Sequence, residues 1–181
     1  MLEDFPDDAP YEDLGDEPEG LVCPVSFPPR HVPGPRPLAE ELTEEAAQLQ
    51  AWHELAVRHH GRTVLGVTGL PIEDLIRYVA AWTGDVPPAP YRPDMSAGDA
   101  LKLACDEVKA FYYEAKAVQP GRHRSAAIET WFWMDTAAGR AFLAIRDKAA
   151  ASDEKSMQRL ASLTLVPRTV DAVLKERSAD A

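Results

Sequence analysis

Apolar residues recur at three- and four-residue steps through most of the chain from residue 38 onward, as in the series Leu42, Ala46 and Leu49. This spacing places the side chains on one face of an α-helix, whose repeat is 3.6 residues. Strand signals are scarce, because the β-branched run at residues 62–68 is interrupted and flanked by glycines. The sequence therefore predicts an all-α domain over residues 38–181, with five or six helices in an irregular bundle.

Local signals place the helix ends. A first helix should end at Gly61, because acids lie early in it, histidines lie late, and glycine favours the left-handed conformation that terminates helices. Pro71 suits the first position of a second helix, and Ser96 can cap a third that runs to about Val118. Two further helices are expected to begin at Ser152 and Pro167.

Residues 122–150 contain no proline and a single glycine. They are compatible with one long helix or with two helices joined near Gly139. Four large apolar residues stand in a row at positions 131–134, and in a helix they would point in all directions. We expect this turn to be buried on nearly every side and to form the centre of the fold.

The first 37 residues have a different composition. The 181-residue chain has a formal net charge of -11. Residues 1–19 carry nine acids and no Lys or Arg, and nine of the 16 prolines fall in residues 1–37. Such a segment cannot bury enough apolar surface to offset the entropy of ordering it. We predict a disordered arm over residues 1–37, acidic and then proline-rich, ahead of the helical domain.

Charge and hydropathy argue against several partners. From residue 38 onward, 21 acids face 17 bases, so the body lacks the excess positive charge that a phosphate backbone attracts. The interpretation of residues 47–83 as a DNA-binding helix-turn-helix has little support, because the second helix contains only one base, Arg77. No apolar run is long enough for a membrane span, and the acidic start does not resemble a targeting signal. We expect a cytoplasmic protein that binds neither nucleic acid nor membrane.

The two cysteines differ in their surroundings. Cys105 lies on an apolar helical stripe and is expected to pack in the core, whereas Cys23 lies among prolines and is expected to be exposed. A disulfide between them would be unusual in a reducing compartment.

Motifs for metal, phosphate or nucleophilic chemistry are incomplete. His53 lies six and seven residues before His59 and His60, whereas two ligands of one metal on a helix stand four apart. The glycine spacing of residues 61–68 resembles a phosphate loop, but Val67 stands where the lysine is needed. No metal or cofactor is expected. No catalytic motif identifies an enzyme, and its absence does not exclude one.

Two functions remain open. The first is a protein-interaction or accessory role, in which the helical domain and the acidic arm bind a protein partner with a basic surface, and Phe5, Tyr11 and Leu14 act as apolar anchors. The alternative is a small-molecule-binding protein or enzyme. Its cleft would be lined by side chains that share one side of a continuous helix, namely Arg122, Glu129, Trp133 and Arg140.

Overall fold

A computed structural model of the chain describes residues 36–121, 123–163, 165–167 and 170. The predicted arm therefore lies outside the described residues, apart from its last two positions, Arg36 and Pro37. The described part contains six α-helices and no strand, which confirms the all-α prediction. The helices are α1 (Leu38–His60), α2 (Ile72–Ala81), α3 (Ala97–Ala117), α4 (Ser125–Asp135), α5 (Ala137–Ala150) and α6 (Lys155–Leu163).

The predicted end of α1 and the predicted start of α3 are observed, whereas α2 begins at Ile72, one residue after the predicted first position. Gly61 terminates α1 with a φ of 65°, and its N–H donates to the carbonyl of Val57 at 2.8 Å. The side chain of Ser96 caps α3 by accepting from the N–H of Asp99 at 3.1 Å. Pro71 is the N-cap of α2. The helix predicted from Pro167 falls mostly outside the described residues.

Thr136 divides residues 122–150 into two helices. Its backbone is extended, and its hydroxyl donates to the carbonyl of Phe132 at 2.6 Å while accepting from the N–H of Gly139 at 2.9 Å. One side chain thus ends α4 and caps α5, because a threonine oxygen can replace a missing helical partner on either side of a break. Of the two alternatives, the pair of helices is correct, and the joint lies three residues before Gly139.

The core is centred on α3, which packs against α1, α2, α4 and α6. Phe132 and Trp133 of α4 are buried in it, with the Phe132 ring 5.4 Å from that of Phe142 and 5.6 Å from that of Tyr112. Trp131 and Met134 are only partly buried. The expectation that this turn is buried on nearly every side is therefore wrong for two of its four residues. The reason is that, among the described helices, α4 packs closely against α3 and α5 only.

Among the described residues, no helix combines the length and the apolar character needed to cross a bilayer.

Candidate functional site

An open groove lies between α1 and α2. It consists of two adjoining cavities of about 930 Å³ and 380 Å³, which share the residues Thr43, Ala47 and Arg77 as walls. The larger cavity extends to Pro37 at the start of α1 and to Gly84 beyond the end of α2. We call the two together the α1–α2 groove.

Small side chains create the groove. Where α1, α2 and α5 meet, five alanines are among the wall residues: Ala39, Ala47, Ala80, Ala81 and Ala144. Helices pack closely when side chains of one fill the spaces between those of the next, and an alanine is too short to reach across. Ala47 and Ala81 remain exposed as a result. The walls of the smaller cavity include bulkier apolar side chains, those of Ile72, Ile76 and Phe111.

The rim of the groove is acidic. Glu40, Glu44 and Glu73 line it, against Arg77. Two of the nearby cations are already paired within the chain, since Arg36 donates to Glu44 and Arg77 donates to Asp74. Over their whole length, α1 and α2 carry seven acids and only two bases, Arg58 and Arg77. These two helices therefore carry a formal net charge of -5, whereas residues 38–181 as a whole carry -4, so the remainder of the body has no net negative charge.

The predicted arm residues Phe5, Tyr11 and Leu14 lie outside the described residues. The structure does locate the point where the arm joins the helical domain, because Pro37 is both the N-cap of α1 and a wall of the larger cavity. The arm thus leaves the domain at one end of the groove.

The four residues of the alternative cleft are not presented on one helix face. Arg122 lies outside the described residues, and the break at Thr136 separates Glu129 and Trp133 from Arg140. The Arg140 guanidinium donates to Glu41 of α1, and Trp133 is 2% exposed. Among the described members of the set, Glu129, Trp133 and Arg140 do not line the α1–α2 groove. The small-molecule cleft stays a prediction.

Sequence reasoning missed an aromatic site around Lys109. Its ammonium lies 5.1 Å from the ring centre of Tyr113, 5.0 Å from that of Trp133 and 5.9 Å from that of Phe132. Burial lowers the pKa of Lys109, while the nearby Glu129 carboxylate opposes the shift. Burial also raises the pKa of Tyr113, with a further contribution from Glu129. Within the described part of the chain, the Tyr113 hydroxyl and the Trp133 indole N–H have no hydrogen-bond partner.

Two glutamates of α3 hold the glycine-rich loop between α1 and α2. Glu107 is buried and accepts from the N–H groups of Gly66 and, at 2.9 Å, Thr68. Glu114 accepts from the N–H of Val64 at 2.9 Å and from the hydroxyl of Thr63 at 2.7 Å. Because these N–H groups already bind carboxylates, a phosphate would have to displace them. Glu107 and Glu114 are seven residues apart on the stripe of Ala104 and Phe111, which is the sequence signal that could have revealed them.

The histidines do not assemble a metal site. The Nε2 of His53 lies 3.0 Å from Glu114, whereas His59 and His60 contact each other edge to face at the exposed end of α1. In the ranges that the structure describes, no group of three His, Cys, Asp or Glu side chains is placed to hold an ion.

No family model matches the sequence, and no curated protein and no solved structure shows significant similarity to it. Function must therefore be argued from the chain's own residues.

Proposed function

We propose that this chain is a protein-interaction protein whose α1–α2 groove binds a basic amphipathic helix of a partner protein, with the acidic arm assisting. The observation that carries the proposal is the alanine-lined groove with its acidic rim. It combines apolar walls, open access and an excess of carboxylates, which are the features that a helix with apolar anchors and flanking lysines or arginines requires.

The dimensions of the groove suit a helix. It follows α1 from Leu38 to Gln50, twelve residue steps, which correspond to about 18 Å or roughly three helical turns. A bound helix would place side chains at positions i, i+3, i+4 and i+7 against the walls. Because Ala47 and Ala81 have small side chains, the groove between α1 and α2 has room for such anchors.

Charge determines the partner's chemistry. The rim offers Glu40 and Glu73, while Glu44 is already paired with Arg36, and the nine acids of residues 1–19 precede the groove along the same chain. Two acidic elements joined at one end of a groove attract a basic segment and orient it before contact. In this proposal Phe5, Tyr11 and Leu14 of the arm contact the partner's surface beside the bound helix.

The test uses a defined probe, a synthetic helical peptide of about 16 residues with leucine at the anchor positions and lysine on the opposite face. Binding is measured by fluorescence anisotropy with the full chain and with Ala47→Trp and Ala81→Trp variants, whose indoles fill the groove. We expect each variant to weaken binding by about tenfold or more, because the anchors lose their pocket. Deleting residues 1–19 should weaken binding at low ionic strength and have little effect at high ionic strength.

Two controls separate groove binding from attraction to any acidic surface. Ala126→Trp places the same indole on an exposed position of α4, outside the groove, and should leave the affinity unchanged. A peptide of the same composition with scrambled order keeps the charge and loses the apolar face. Equal affinity of the groove-filled variants and the unaltered chain, or of the ordered and scrambled peptides, would show that the groove is not the binding site.

A further inference from the structure

We infer that residues 21–27 of this chain occupy the α1–α2 groove when no partner is bound, so that a partner must displace the chain's own segment. The inference rests on the groove of the proposed function and adds an intramolecular competitor to it. Three observations support it: the composition of the segment, the length of the connection and the charge of the rim.

The segment is the most apolar part of the arm. It reads Leu-Val-Cys-Pro-Val-Ser-Phe, and residues 20–37 as a whole contain no acid. Residues 1–19, by contrast, carry nine acids and would be repelled by the rim glutamates. Of the two parts of the arm, only the second can place apolar side chains against the alanine walls without introducing like charge.

The connection is long enough and starts at the correct place. Phe27 lies ten residue steps before Pro37, which lines the larger cavity. An extended chain of this length spans about 33 Å, which exceeds the roughly 18 Å of groove along α1. Residues 21–27 can therefore reach every part of the groove while attached to the N-cap of α1.

Charge complementarity favours the same segment. Arg30 follows the apolar residues by three positions, and Glu40 lines the rim next to the point of attachment, whereas Glu44 is already paired with Arg36. An apolar stretch followed by a base has the chemistry proposed for the partner helix. Because the segment is tethered, its effective concentration at the groove is on the order of millimolar, so even weak contacts would compete with a free partner.

The native Cys23 makes the inference directly testable in the full chain. An Ala81→Cys substitution places a second thiol on the groove wall, and the protein is equilibrated with reduced and oxidised glutathione. The fraction of protein disulfide gives the effective concentration of Cys23 at the groove. Cys105 is buried and burial raises the pKa of its thiol, so it does not take part.

The matched control replaces Leu21, Val25 and Phe27 by serine in the same Ala81→Cys protein. The tether and both thiols are unchanged, and only the apolar side chains are lost. We expect the effective concentration to fall about tenfold. A thiol at Ala126→Cys, exposed on α4, should form less disulfide with Cys23 and should be insensitive to the serine substitutions.

The outcomes distinguish this inference from the proposed function. Equal disulfide formation at Ala81→Cys with and without the three serines would overturn the inference, even if the leucine–lysine peptide binds the groove. Enrichment at Ala81→Cys that depends on the three apolar residues supports it, even if that peptide fails to bind and the partner proposal is wrong.

Discussion

Two helix interfaces of the same bundle differ in side-chain size, because one is built from large aromatic residues and the other from alanines. Between α3, α4 and α5, aromatic rings fill the space, with the ring centres of Phe132, Trp133 and Phe142 lying 5.0–6.0 Å apart. Between α1, α2 and α5, alanines line a groove that stays open. Both interfaces join helices of one core, so overall hydrophobicity does not explain the difference.

The aromatic interface contributes to the stability of the fold, whereas the groove leaves unfilled volume at the surface. Edge-to-face aromatic pairs bury large apolar areas and interlock, so a change of even one carbon at that interface must be accommodated by its neighbours. Alanines at the groove bury little and leave volume that a second molecule or segment could fill. Substitutions that add carbon atoms should therefore have unequal effects on the two sides.

The largest effect is expected for Gly139→Ala, at the start of α5. A Cβ at this position would overlap the carbonyl oxygen of Phe132 and would lie 2.9 Å from the Cα of Trp133. Both are backbone atoms of the aromatic interface and cannot move aside without shifting α4. We expect the free energy of unfolding to fall by about 3 kcal/mol, as for a severe case of overpacking. Urea denaturation monitored by circular dichroism measures it.

The matched control is Gly98→Ala in α3. Gly98 is also helical and buried, but its nearest neighbour beyond the helix, the Ser156 carbonyl, would lie 3.3 Å from the new Cβ. A shift of a few tenths of an ångström relieves that contact, so the loss should be well below that of Gly139→Ala. Equal losses at the two glycines would mean that the aromatic interface is no tighter than its surroundings.

The sequence predicted those features that depend on neighbours along the chain. The end of α1 follows from Gly61 and the start of α3 from Ser96, because a left-handed glycine and a capping hydroxyl act on the helix that contains them. The single glycine of the segment, Gly139, predicts the joint three residues too late, although Thr136 is itself a residue type that favours the N-cap position.

The features that the sequence could not predict depend on helices meeting in space. Glu45 accepts from Ala137, 92 residues away, and no local pattern relates the two. The groove arises because Ala47 of α1 and Ala81 of α2 line one cavity, which depends on the crossing geometry of the two helices and not merely on their periodicity. The alternative cleft requires Glu129, Trp133 and Arg140 on one continuous helix, whereas Thr136 divides that segment into α4 and α5.

An intermediate effect is expected for Glu45→Ala, since Glu45 links the groove helix α1 to the aromatic side. Its carboxylate accepts from the Tyr112 hydroxyl at 3.0 Å and from the N–H groups of Ala137 and Ala138 at 2.7 and 3.3 Å. Removing the carboxylate leaves the Tyr112 hydroxyl on α3 and the two N–H groups at the start of α5 without this acceptor. We expect a loss of about 2 kcal/mol in the free energy of unfolding, measured by urea denaturation.

Glu45→Gln isolates the ionisation of the same group. Burial raises the pKa of Glu45, and the hydrogen bonds from Tyr112, Ala137 and Ala138 only partly oppose it. When the pKa of a carboxyl is higher in the folded state, folding favours its protonated form. Its contribution to the free energy of unfolding is therefore fully present at low pH. That contribution decreases as the pH rises from the ordinary glutamate pKa through the raised one. The stability difference between the native chain and Glu45→Gln should therefore shift in favour of the variant with rising pH. A shift in the opposite direction would show that the hydrogen bonds outweigh burial.

The smallest effect is expected for Ala47→Leu, which adds three carbon atoms to the exposed wall of the groove. The new side chain enters open volume, so the free energy of unfolding should change by no more than about 0.5 kcal/mol. The same substitution at Ala141, which is fully buried on α5, should cost about 2 kcal/mol because no space is available. Thermal and urea unfolding of the two variants measure the contrast. If Ala47→Leu costs as much as Ala141→Leu, the walls of the groove are in contact in solution, and neither a partner helix nor residues 21–27 would have room between them.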